Sequence, residues 1–195
     1  KSSAASDVYK RQGLDGFANW YKVQAQEERD HAMLMFQYLQ NNSHRPVLEG
    51  IARPTAAPNG RLEVLKAGLA HEQYVTNLIH TIYDAAYEVK DFRTMQFLDW
   101  FVKEQGEEEK TAEDMIKKME LYGDDAKGLY MLNSELAGRT YAAPSLVLYP
   151  VVETVDKVGA LLWTGHPPYT YMPRQGIKSS GRVVQGDWAL VTNIV

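Results

Sequence analysis

Glu28 and His31 are spaced i, i+3, which on a helix places a carboxylate and an imidazole on one face, within reach of a single ion. They share a stripe with Tyr21, Ala25, Ala32 and Met35, so a helix that buried this stripe would bury both of them. Glu72 lies three residues after Leu69 and three before Val75, and Gln105 and Glu108 lie between Phe101 and Ala112. These too fall on apolar stripes. An isolated carboxylate is too expensive to bury, so several converging on one interior must raise one another's pKa or bind a cation. A metal is the simpler resolution. With no cysteine in the chain, thiolate ligands are excluded, and oxygen donors with one imidazole suit iron better than zinc or copper. Taken alone, Glu-x-x-His is a weak signal, because a lone core histidine is usually just hydrogen-bonded. Its weight comes from carboxylates near the middle of three successive helical patterns.

Those patterns must do the positioning. From Asp15, read as an N-cap, to about Asn42, apolar residues recur at helical steps through Phe17, Tyr21, Ala25, Met35 and Leu39. Such a helix is about 40 Å long. A second pattern runs from about Leu62 to Val89, a third from Asp91 to about Tyr122 with Gly123 as its stop, and a short fourth from Asp125 to Ala137. Only a few residues around Lys90 separate the second from the third, which forces an antiparallel hairpin. The link from Asn42 to Leu62 contains Pro46, Pro54, Pro58, Gly50 and Gly60 and is long enough to cross the length of a bundle. One long crossover between two hairpins is the topology of ferritin-like bundles. Here one helix precedes the crossover without a partner, so the first bundle helix is expected to be missing.

Three regions follow: 1–12, 13–143 and 144–195. Lys1 to Gln12 shows no amphipathic period, and its SSAASDVYKRQ string resembles translated sequencing-adapter sequence, so it is set aside as non-native. Beyond Ala143 apolar patches broken by Pro and Gly lack helical period. This irregular C-terminal extension reads either as a small β-like appendage or, as preferred, as out-of-frame or read-through sequence without selected function.

Size and charge limit the function classes. A chain of 195 residues with 45% apolar side chains suits one packed domain, and a net charge of −4 argues against nucleic acid or anionic lipid as the partner. No apolar run approaches the roughly 20 residues that span a bilayer, and no signal pattern opens the chain, so a cytoplasmic location is expected.

The segments FANWYKVQAQEERDHAMLMFQYL, AGLAHEQYVTNLIHTIYDAA and FLDWFVKEQGEEEKTAEDMIKKM resemble the second, third and fourth bundle helices of ferritins, and LYMLNSEL their short last helix. The resemblance implies an all-α four-helix bundle with a long crossover and a short C-terminal helix. It makes Glu28 the carboxylate bridging two irons, His31 a ligand of the first, and Glu72 and Glu108 ligands of the second. Gln105 corresponds to the glutamine of the ferroxidase site, orienting dioxygen or a ligand. Glu27, Glu104 and Glu107 correspond to extra carboxylates of a third iron site in bacterial ferritins, or else form a solvated acidic face. Gln105 and Glu108 stand where bacterioferritins and rubrerythrins carry a second Glu-x-x-His, and Arg29 stands where bacterioferritin has its haem-ligating Met. A non-haem ferritin is therefore implied, with a di-iron centre and no haem. Its reaction would be oxidation of ferrous iron by dioxygen or hydrogen peroxide, with ferric mineral stored in a homo-oligomeric shell, of 24 subunits in the family. Ferritins also draw one Glu ligand and a nearby Tyr from the first helix, and Asp7 and Tyr9 are the only residues of region 1–12 of those kinds. An alternative is thus a non-catalytic helical subunit that binds metal without redox turnover.

Overall fold

The computed structural model describes residues 1–48, 58 and 60–148, and in them the chain forms five helices: α1 (Ser2–Arg11), α2 (Asp15–Asn41), α3 (Arg61–Glu88), α4 (Phe92–Tyr122) and α5 (Ala126–Ala137). The bounds of α2 to α5 fall within one or two residues of those read from periodicity. Among the described residues no strand occurs. Much of the crossover, including Gly50 and Pro54, and the tail from residue 149 onward lie outside the described residues.

Helices α3 and α4 form the antiparallel hairpin, turning at Lys90 with φ +58°, a left-handed conformation that a non-glycine residue adopts at some cost. Asp91 caps α4, its carboxylate accepting from the backbone N–H of Thr94 at 3.1 Å. Asp15, expected as the N-cap of α2, is instead its first residue and pairs with Lys10 at 2.9 Å, while Leu14 holds the cap position.

The expectation for residues 1–12 needs correcting. Ser2–Arg11 is helical and packs against α2, with Ala5 and Tyr9 buried. The two lie four residues apart, one turn along a single face, and so few apolar positions in so short a segment escaped a search for sustained period. The Tyr9 ring stacks on Phe17 and Tyr21, at centroid distances of 5.0 and 5.6 Å, and its hydroxyl donates to the backbone carbonyl of Arg61 at 2.6 Å. Gly13, at φ +75°, makes the tight turn into α2. A helix precedes α2 after all, but at about 15 Å it accompanies less than half of α2's length.

The interior divides into two apolar clusters. One gathers Tyr9, Phe17, Tyr21, Leu65, Met115 and Leu132 from all five helices, and the other gathers Met35, Tyr38, Ile79, Phe97, Leu98 and Phe101. Glu28, Glu72 and Gln105 belong to neither, and in sequence each falls between residues of the two. The tail begins later than read from sequence: Leu146 and Leu148 pack on the second cluster, and Ser145 Oγ accepts from Trp100 Nε1 at 2.8 Å.

Candidate metal centre

Helix α2 presents Gln24, Glu28 and His31 at i, i+4 and i+7, all buried on one face. Glu28 Oε2 lies 3.7 Å from His31 Nδ1, and the imidazole is walled by Trp100 and Phe101, edge to face at 5.4 and 6.0 Å. Helix α3 supplies Glu72 and α4 supplies Gln105 and Glu108. One donor atom each from Glu28, His31 and Glu108 lies within 4.8 Å of the others, a spacing a metal ion could bridge. Glu72 is outside this closest set. Gln105 Nε2 donates to the backbone carbonyl of Glu72 at 3.1 Å and to Thr76 Oγ1 at 3.2 Å, which ties α4 to α3 beside the carboxylates.

The electrostatics are those of a cluster with too much negative charge. Burial, then the charge of Glu28, pushes the Glu72 carboxyl up to about 8. Burial, then Glu28 and Glu72, pushes Glu108 up to about 9. For His31, burial works downward, but the nearby carboxylates of Glu28, Glu108 and Glu104 outweigh it, and the net shift is upward. A single neutral donor serves two of these carboxylates: Gln24 Nε2 reaches Glu28 Oε1 at 3.0 Å and Glu108 Oε1 at 2.9 Å. Glu108 Oε2 is buried with no hydrogen-bond partner. An orphaned oxygen on a carboxylate that clusters with a second carboxylate and an imidazole is what a cation site leaves when protein groups alone surround it. The donor set, oxygens plus one imidazole, fits iron.

The remaining candidates lie to one side. Glu104 is half-buried with its pKa raised, chiefly by burial. Glu107 is exposed and pairs with Lys103 at 3.2 Å. Glu27 is bound by Arg139. These three share with Glu72, Glu108 and Arg139 the lining of a cavity of about 160 Å³. Region 1–12 brings no carboxylate to the centre: Asp7 pairs with Arg11 at 2.8 Å, and Tyr9 is committed to the apolar cluster.

Sequence reasoning missed Gln24 and Arg139. Gln24 was accessible, since it precedes Glu28 by one helical turn on the same stripe. Arg139 was not, because it meets Glu27 across 112 positions of sequence.

Known proteins resemble this chain in sequence and in fold. Residues 3–122 match the ferritin family model, described as a ferritin-like domain. A bacterial non-heme ferritin of Staphylococcus epidermidis is 37% identical over 131 residues, covering 67% of this chain and 79% of that protein. One from Staphylococcus haemolyticus is 39% identical over 127 residues, covering 65% and 76%. Among solved structures, an open pore ferritin from the hyperthermophilic archaeon Archaeoglobus fulgidus superposes with a TM-score of 0.70 at 37% identity, covering 71% of this chain and 86% of that one. A humanized archaeal ferritin gives 0.71 at 37%, covering 72% and 86%. With four carboxylate- or imidazole-bearing positions on three bundle helices and a family match across most of the helical region, this chain belongs to the ferritin family.

Proposed function

We propose that the chain stores iron and oxidises it, taking ferrous ions at Glu28, His31, Glu72 and Glu108. Family membership supports a role in iron storage generally. The finer reading rests on one observation above the rest: the buried, partnerless Glu108 Oε2 set among Glu28 and His31. Ferrous ions are the substrate. Two of them give up one electron each, and dioxygen taking both electrons with two protons leaves as hydrogen peroxide; hydrogen peroxide is an alternative oxidant, reduced to two waters at the same cost of two electrons.

The protein's part is binding and placement. Glu28 is positioned to serve both ions, His31 and Glu108 to hold one each, and Glu72 to complete the second. Gln105, anchored on Glu72 and Thr76, stands beside the pair and orients the incoming oxidant or a ligand. Raised carboxyl pKa values mean that bound ions displace protons from Glu72 and Glu108, so uptake weakens as pH falls. Glu27, Glu104 and Glu107 offer the oxidised ion a route away from the centre. Deposition as ferric mineral inside a homo-oligomeric shell completes the reading.

A second reading is favoured by the lack of a carboxylate from α1: a subunit that binds metal without redox turnover. Oxidation of ferrous iron in air, followed by the ferric absorbance, separates the two. Turnover well above autoxidation that is lost in Glu28→Ala supports the oxidase; metal uptake with oxidation no faster than buffer supports the second.

A further inference from the structure

The end of α5 and the segment leaving it are clamped onto α2 by hydrogen bonds between side chains and backbone. Asn133 Oδ1 accepts from the N–H groups of Gly16 and Phe17 at 2.8 and 3.3 Å, satisfying donors that a helix start leaves open. A Cβ on Gly16 would lie 1.6 Å from the Asn133 carbonyl oxygen, so this approach requires glycine. Further along, Asn19 Nδ2 donates to the carbonyls of Ala137 and Arg139 at 3.3 and 3.0 Å. The clamp aims Arg139 across the Trp20 ring, at 4.2 Å from its centroid, toward the carboxylates. There its guanidinium donates to Gln24 Oε1 at 2.9 Å and to Glu27 Oε2.

We propose that Arg139 is a resident counter-cation of the outer carboxylates, one that an incoming metal ion must displace before Glu27, Glu104 and Glu107 can hold it. This rests on the reading of Glu28, His31, Glu72 and Glu108 as the iron-binding centre. A guanidinium and a divalent ion compete for the same lone pairs of Glu27, and because arginine stays charged the competition does not titrate away. The inner centre is left open. Arginine only donates, so the Gln24 carbonyl faces Arg139 and its amide protons face Glu28 and Glu108. Arg139 thereby sets how long an ion lingers in the outer cavity without occupying the inner one. An ion held weakly there passes on, which suits a route more than a store.

Equilibrium titration with Zn2+, a redox-inert probe, tests this on the wild type, Arg139→Gln, Arg139→Lys and the double variant Arg139→Gln/Glu27→Gln. Losing one charged hydrogen-bonding competitor should tighten the weaker class of ions roughly tenfold to a hundredfold in Arg139→Gln. Arg139→Lys, still cationic, should stay near wild type, and the double variant should lose the gain. A purely structural role would make Lys and Gln alike. A second measurement needs no variant: saturating Zn2+ should raise phenylglyoxal modification of Arg139 several-fold, read by mass spectrometry. If neither the weak class nor the modification rate moves, the inference is overturned. Glu28→Ala distinguishes the cause: loss of the tight ions there, with no effect at Arg139, sinks this inference alone, whereas unchanged tight binding in Glu28→Ala sinks the inner-centre reading and this inference with it.

Discussion

Replacing Glu108 with Gln should stabilise the metal-free protein and destroy the reason for its design. The Glu108 carboxyl is pushed up to about 9, with burial the main cause and the charges of Glu28 and Glu72 next. In the unfolded chain the same group ionises near 4.5. The sign follows from linkage: a carboxyl whose folded pKa is raised favours unfolding as soon as the unfolded chain can ionise, so stability is lost as pH rises from about 4.5 toward 9. At pH 7 the span already crossed corresponds to about 3 kcal/mol. Glu108→Gln keeps the shape and removes the ionisation. Urea unfolding of chelator-treated protein should show the two proteins equal near pH 4.5 and the variant ahead by about 3 kcal/mol at pH 7. Zn2+ should close that gap, because an ion at a hundred times its Kd adds about 3 kcal/mol to the wild type and little to the variant. A variant less stable than wild type at pH 7 without metal would refute the picture of carboxylates held together against their own repulsion.

Tyr9→Ala should cost about 3 kcal/mol in urea unfolding, as for other large buried aromatics, because its ring is fully buried between Phe17 and Tyr21; no loss would mean that α1 is not a packed part of the bundle. Gly16→Ala should lower stability by about 1 to 3 kcal/mol and, by lifting α5 from α2, should also raise phenylglyoxal modification of Arg139; stability and modification at wild-type values would contradict the clamp. A chain ending at Leu148 should keep the helicity and unfolding midpoint of the full chain, since Leu146 and Leu148 retain their contacts; a large fall in midpoint would make the region beyond 148 part of the domain.

What could be read from sequence was what repeats along one element. Glu28 and His31 share a stripe because the helix brings every third or fourth residue to the same face, and that stripe could be followed without knowing its partner. The same period located Glu72, Gln105 and Glu108, and the few residues around Lys90 dictated the hairpin that sets α3 beside α4. What escaped depends on neighbours distant in sequence or on segments too short to show a period. Tyr9 offers a single large ring in a ten-residue helix of otherwise small and polar residues, and its burial is decided by Phe17, Tyr21 and Arg61. Arg139 looks like an ordinary charge after a helix until Asn19 and Asn133 fold it back over Trp20. Glu27 could be either a metal ligand or part of a solvated face when read alone, and its partner in the structure is an arginine, which neither reading included.

The most direct test of the central claim is anomalous diffraction at the iron edge from crystals loaded anaerobically with ferrous iron. Two iron peaks are expected inside the bundle beside Glu28, one in contact with His31 and the other with Glu108 and Glu72, and both should be lost in Glu28→Ala. Iron bound only at exposed carboxylates such as Glu107, with the interior free of anomalous signal and Glu28→Ala indistinguishable from wild type, would contradict it.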